Sequence, residues 1–303
     1  MSQVRVAVVS RDPAIRLAAA AAFDGAPAAW SIELFESPPA DGADVLVVGP
    51  DAAGRGGIGF DPAAPARVVD DVARALGRRR SLMVAVTSVS GGVGTTTIAL
   101  HLAKALAATS ETCMVDLGRD RALALRLGLG DGTPRTWGDL EPDDASLRRC
   151  AVPVPGAFRV LLAPETHDPS HVPLSDLVAR AGAGFDRVIF DVPPGSHQHE
   201  VLARVNAAVL VVSPTVVGAH RARPLLEAHP RIAWAVVLNR LGPGGETTRS
   251  ALQRLLGHPI AMELPCAPAL RDVEDDGRLL TSPLSRWGRS VARLARALVA
   301  SPK

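Results

Sequence analysis

Apolar positions along this chain gather into short unbroken runs, with amphipathic stretches between them. Residues 4–10 (VRVAVVS) and 43–49 (ADVLVVG) read as buried strands, and 31–37 (SIELFES) alternates as a half-buried strand does. Residues 12–23 (DPAIRLAAAAAF) predict a helix, with Asp12 as N-cap and Pro13 at the first helical position. A second helix is expected at 65–76, followed by Gly77 and a solvated linker, Arg78, Arg79 and Arg80. Residues 1–77 therefore form a small α/β unit, 78–80 a linker, and 81–303 a larger unit.

The larger unit opens with a continuous apolar strand at 81–89, then a glycine loop, then a helix at 96–109. Further strands are expected at 112–118, 158–164, 185–194, 207–215, 232–240 and 259–265, with helical stretches between most of them. Unbroken apolar strands alternating with helices predict a mostly parallel, doubly wound α/β sheet covered on both faces. Ligands in such sheets bind at the carboxyl ends of the strands. No internal repeat is visible, and GPGGETT (242–248) reads as an ordinary loop.

Composition narrows the function classes. Apolar residues make up 47% of 303 residues, enough for a buried core. The net charge of +2 provides no broad field for nucleic acid or anionic lipid, so DNA is not an expected partner. Three scattered cysteines (Cys113, Cys150, Cys266) argue against a disulfide framework or a zinc knuckle and fit a reducing compartment. The first residues lack a signal-peptide layout, and no apolar run approaches the roughly 20 residues that span a bilayer. A cytoplasmic protein is expected.

The chemistry concentrates in SVSGGVGTTT, residues 88–97. Successive backbone N–H groups opening onto a helix N-terminus form an anion site. Gly91, Gly92 and Gly94 let the backbone curl around phosphate oxygens, and Thr96 sits where a hydroxyl would ligate Mg²⁺. The alternative is a tight glycine turn with no ligand. Asp191 ends an apolar strand; its carboxylate either holds a Mg²⁺-bound water or caps the next turn.

SGGVGTTT resembles the deviant Walker A loop, KGGVGKTT, of the MinD/ParA group of P-loop ATPases. The resemblance spans residue 81 to about residue 301. It includes MVDLG (114–118) at the first switch and VIFDVPPG (188–195) at the Walker B strand and second switch. It also takes in VVLNR (236–240) at the adenine strand and ELPCAPALRD (263–272) after the last strand. It implies ATP and Mg²⁺ as cofactors, with Ser90, Gly91, Gly92, Val93, Gly94, Thr95, Thr96 and Thr97 cradling the phosphates. Gly195 would present its N–H to the γ-phosphate. Thr96, Asp116 and Asp191 would hold Mg²⁺, partly through water. Asn239 either bonds adenine or closes a turn; Arg240 either stacks beside the base or is solvated at a strand end. Pro265 either shapes the base pocket or ends a strand.

The departures from the family pattern carry meaning. Thr95 stands where the family has the lysine bridging β- and γ-phosphates, and Ser90 where it has the lysine that reaches across a dimer. Val89 replaces the loop's first glycine. Asp116, the candidate catalytic carboxylate, matches the first switch, but Gly118 replaces the aspartate that orients attacking water. Loss of one such electrostatic partner commonly costs about 10²–10³ in rate. ATP binding with weak or absent hydrolysis is therefore expected.

A short receiver-like N-terminal unit joined to an atypical loop is the pattern of the CpaE/TadZ branch of that group, near septum-site-determining proteins. It implies a nucleotide-responsive positioning scaffold, a homodimer, serving pilus, secretion or division proteins, and recruited to the inner face of the membrane, a pole or the septum. One alternative is an active MinD/ParA-type ATPase in DNA partition or septum placement; another is a scaffold that binds no nucleotide. The N-terminal unit lacks a receiver's paired acids after the first strand, and Asp51 falls two residues beyond Gly49, so no phosphorylation is expected there. His197 and His199 form an H-x-H pair read as a solvated loop. In the tail, Trp287, Val291, Leu294 and Leu298 share one helical face, which either packs on the sheet or brings residues 284–300 to a membrane surface.

Overall fold

The computed structural model describes residues 4–24, 26, 30–52, 57–65, 67–118, 122–129, 135–141, 144–154, 157–164, 172–241, 247–279 and 285–300. Within helices and strands, a few side chains, Arg240 and residues 77–80 among them, lie outside the described set. The chain divides into two compact units, Met1–Arg80 and Ser81–Lys303.

In the first unit, strands β1 (Val4–Val9), β2 (Trp30–Phe35), β3 (Val45–Val48) and β4 (Ile58–Gly59) form a parallel sheet in the order β2-β1-β3-β4. Helices α1 (Pro13–Ala22) and α2 (Arg67–Arg80) accompany it. Val6, Val8 and Val47 pack with Phe23, Phe60 and Val72 into a core of the unit's own. Asp12 caps α1 by accepting from the Ala14 N–H, with Pro13 in the first turn. The linker expected at 78–80 is instead the last turn of α2. Arginine is a strong helix former, and a helical glycine costs only about 1 kcal/mol relative to alanine, so Gly77 does not stop the helix.

The second unit begins with β5 (Leu82–Ser88), α3 (Thr95–Ala107), β6 (Thr112–Asp116), α4 (Ala122–Arg126) and α5 (Asp144–Cys150). It continues with β7 (Val152–Pro153), β8 (Arg159–Leu161), α6 (Leu174–Gly184), β9 (Arg187–Val192), α7 (Ser196–Leu202) and β10 (Ala207–Val212). It ends with α8 (Val216–Ala228), β11 (Ala233–Leu241), α9 (Arg249–Leu256), β12 (Ile260–Pro265), α10 (Ala269–Asp275) and α11 (Arg286–Ala300). The sheet order is β12-β11-β10-β5-β9-β6-β8-β7, and only the β7–β8 pair is antiparallel.

Both faces of this sheet are buried, so its strands read as unbroken apolar runs. Along β10, Ala208, Leu210 and Val212 enter one layer, with α6, α8 and α9; Ala207, Val209 and Val211 enter the other, with α3 and α11. The predicted strands at 112–118 and 185–194 stop at Asp116 and Val192. Their last residues leave the ladder to enter loops at the carboxyl edge.

Helix α11 packs against α3. Trp287, Val291, Leu294 and Leu298 are buried, and the Trp287 ring meets His101 edge-on at 4.8 Å between centroids. Burying each Val or Leu side chain contributes roughly 1.5–3 kcal/mol. The apolar face proposed for membrane contact across 284–300 is thus occupied by the protein's own core; residue 284 itself lies outside the described residues. Exposed on the other side are Arg286, Arg289, Arg293 and Arg296. Among the described residues, no helix is long and apolar enough to cross a membrane.

Candidate functional site

The carboxyl ends of β5, β6, β9, β11 and β12 open onto one cavity of about 1270 Å³. Its lining includes Ser88, Gly91, Gly92, Gly94, Thr95, Thr96 and Thr97 of the loop and first turn, Asp116, Gly118, Asp191 and Gly195 at neighbouring strand ends, and Asn239 with residues 265–268.

The loop is fixed from behind. The Gln198 side-chain amide, buried on α7, donates to Thr87 Oγ1 at 2.7 Å and to the Ser88 carbonyl at 2.9 Å. The Ser88 hydroxyl donates to the Ser90 carbonyl at 2.9 Å, and Asn239 Nδ2 donates to the Val93 carbonyl at 2.7 Å. Gly92 and Gly94 adopt φ of +74° and +93°, a region that glycine alone enters freely. A Cβ on Gly94 would also collide with the Asn239 amide. Gly94 is the N-cap of α3 and has no side chain with which to cap it. The orphan N–H groups of the first turn, at Thr95, Thr96 and Thr97, are therefore left to an anion in the cavity.

Beside the loop stand two acids. Asp116 and Asp191 are register partners on adjacent strands, each 5% exposed. Burial first, and then the Asp116 charge, push the Asp191 carboxyl up to about 7, opposed by a hydrogen bond from Thr96 and by Arg126. Two adjacent carboxylates and a hydroxyl are hard oxygen donors beside an anion cradle. Mg²⁺ takes one or two carboxylates and completes its shell with water and phosphate oxygens. The residues fit such an ion. Among the described residues, no group of three or more His, Cys, Asp or Glu side chains is placed to hold a metal unaided.

The switch that carries Asp116 is closed on itself. Asp116 Oδ1 accepts from the Gly118 N–H at 2.8 Å, and its carbonyl accepts from Trp137 Nε1 at 2.9 Å. A Cβ on Gly118 would lie 2.8 Å from that same Oδ1, so Asp116 occupies the space that a side chain at 118 would need. Gly195, with φ +139°, is the N-cap of α7 and leaves open space toward the cavity.

The cavity brings together Gly91, Gly92, Gly94, Thr95, Thr96, Thr97, Asp116, Asp191, Gly195, Asn239 and Pro265. Ser90 gives its carbonyl to the loop's internal bond, and partly buried Val93 packs on the core beneath it. Arg240 is on β11, with its side chain outside the described set. The loop at 242–248 is described only from residue 247. The H-x-H pair is helical rather than looped, because both residues fall within α7. His199 Nδ1 lies 2.8 Å from His229 Nε2 with the rings stacked, a partner 30 residues away that spacing alone could not reveal.

Sequence reasoning passed over three residues. Gln198 buttresses the loop, Glu274 lies buried on α10, and Arg126 reaches the cavity from α4. Arg126 sits in no recognisable motif; only the fold brings it to the loop.

Residues 84–280 match the model of the CobQ/CobB/MinD/ParA nucleotide-binding domain. The chain belongs to that family. Among curated MinD/ParA relatives, the septum site-determining protein MinD of Synechocystis sp. is 27% identical over 213 residues, covering 66% of this chain and 78% of the relative. Among solved structures, a ParA family ATPase from Chlorobium tepidum superposes with TM-score 0.62 at 20% identity, over 71% of this chain and 98% of that one. The septum site-determining protein MinD of Pyrococcus horikoshii, complexed with Mg-ADP, also gives 0.62, at 21% identity over 72% and 96%. The MinD/ParA fold accounts for the larger unit; the whole of the smaller unit precedes the matched segment.

Proposed function

We propose that this protein is a nucleotide-responsive positioning scaffold of the CpaE/TadZ type, binding ATP with Mg²⁺ and turning it over slowly or not at all. The observation that carries this reading is the uncapped first turn of α3, lining one cavity with the Asp116–Asp191 pair and bonded to Asp191 through Thr96, in a loop that supplies no lysine. The loop amides and the threonine first turn would hold the phosphates. Thr96, Asp116 and Asp191 would hold Mg²⁺, which neutralises phosphate charge when bound. Asn239, Pro265 and Cys266, which line the same cavity, would border the base.

Hydrolysis needs a positioned water, and Gly118 has no side chain to hold one. A face-to-face homodimer that places pilus, secretion or division proteins is the role this supports, at a pole, a septum or the inner face of a membrane. The receiver-like first unit would serve as a binding or dimerisation module. In it, Asp51 already accepts from the Ser10 hydroxyl and the Arg11 N–H, each at 2.6 Å, which holds its carboxyl below the usual range.

Calorimetry of the purified chain with Mg·ATP, alongside a phosphate-release assay, tests the reading. Saturable heat with phosphate release no faster than buffer is expected. A silent titration would overturn nucleotide binding; brisk release would favour an active partition-type ATPase.

A further inference from the structure

Among the described side chains lining the cavity, Arg126 is the only lysine or arginine, set against Asp116, Asp191, Asp272 and Glu274. Among the described residues, the rest of the lining offers a phosphate chain backbone amides, hydroxyls and carboxylates. Arg126 ends α4, 31 positions after Thr95, and its side chain is 39% exposed. Its Nη1 donates to Glu274 Oε2 at 3.2 Å and lies 3.4 Å from Thr97 Oγ1. The Thr97 hydroxyl donates to the same Glu274 oxygen at 3.1 Å. Thr97 belongs to the uncapped first turn of α3, so the guanidinium stands beside the anion cradle. It is also near enough to Asp191 to act on that carboxyl's charge.

We infer that Arg126 is the phosphate-binding cation of this site, replacing from α4 the lysine that the loop lacks at Thr95, and that Glu274 holds it in place until nucleotide arrives. This rests on the nucleotide-binding reading above. A guanidinium is always charged and binds carboxylate and phosphate through the same donors, so a phosphate group competes directly with Glu274 for it. Arg126 and Thr97 then exchange one anionic partner for another. The carboxylate that positions the arginine also opposes the incoming charge, so affinity is set by the balance of the two.

The test is calorimetry with Mg·ATP, Mg·ADP and adenosine on the full chain and three variants. Arg126→Gln should weaken Mg·ATP about ten- to hundredfold, the scale of one charge-assisted hydrogen bond, and change adenosine by less than about twofold. Arg126→Lys should recover part of the loss. Glu274→Gln should tighten Mg·ATP several-fold, and it provides an independent check should Arg126→Gln fold poorly. Wild-type affinity in Arg126→Gln, or equal losses for ATP and adenosine, would overturn the assignment while leaving the nucleotide reading intact. Unchanged or weaker binding in Glu274→Gln would overturn the holding role. Absence of heat with the wild-type chain would sink the nucleotide reading and this assignment together.

Discussion

Asp191 keeps its proton up to about pH 7 in the native chain, against 3.8 for an ordinary aspartate, because burial and Asp116 both oppose the charge. The native state is thus stabilised by that proton below 3.8, and the contribution is lost as pH rises through about 7. Asp191→Asn removes the ionisable group. It should raise the unfolding free energy, followed by thermal melting, by an amount that grows between pH 4 and pH 7 and then levels off at about 1–4 kcal/mol. His101 has the opposite sign. Burial lowers it from 6.5 to about 4, so it stays neutral, with Nδ1 donating to the Thr97 carbonyl at 2.9 Å. Its contribution is present above 6.5 and is lost as pH falls toward 4. The two slopes oppose each other between those values, so melting curves of Asp191→Asn should fall toward acid more steeply than those of the wild type. A divalent ion needs the carboxylate. Mg²⁺ affinity should therefore drop about tenfold per pH unit below 7, with proton release visible as a buffer-dependent heat. An affinity flat from pH 5 to pH 8 would contradict this.

At the scale of elements, the loop between β5 and α3 works because its glycines take conformations denied to other residues. Gly94→Ala meets both a φ of +93° and the Asn239 side chain. It should abolish the Mg·ATP heat while lowering stability by only about 1–3 kcal/mol, with far-UV circular dichroism retained. A variant that binds normally would show that the loop's shape is not what captures the ligand. How much of this was legible beforehand depends on the kind of signal. Buried parallel strands such as β9 and β10 declare themselves, since burial on both faces leaves an apolar run broken at most near its ends. The Asp12–Pro13 start of α1 is equally plain. The end of α2 was not, because Gly77 and three arginines look like a linker, although helix propensity carries through them. Within the site, Thr96 and Asp191 stand out by their positions at a loop edge and a strand end, and Asp116 through the family resemblance; all three line the cavity. Arg126, Gln198 and Glu274 do not, because they reach the loop from elements distant in sequence. The His199–His229 contact has the same origin.

For the whole molecule, each unit has its own core, and the cavity lies wholly within the second. Residues 81–303 expressed alone should bind Mg·ATP within about threefold of the full chain; a larger loss would place part of the site in residues 1–80. Trp287→Ala should cost about 3–5 kcal/mol by thermal melting, since the ring fills the contact of α11 with α3. The same substitution should leave co-sedimentation with anionic vesicles unaltered, because the removed ring faces the interior. In the first switch, Asp116 Oδ1 sits where a side chain at 118 would begin and accepts from the Gly118 N–H. That oxygen is the turnable end of its side chain, so an acid introduced by Gly118→Asp would be seated only by rotating Asp116 and giving up this short ring. The bare position thus leaves one carboxylate, rather than two, to answer whatever enters the cavity from that side.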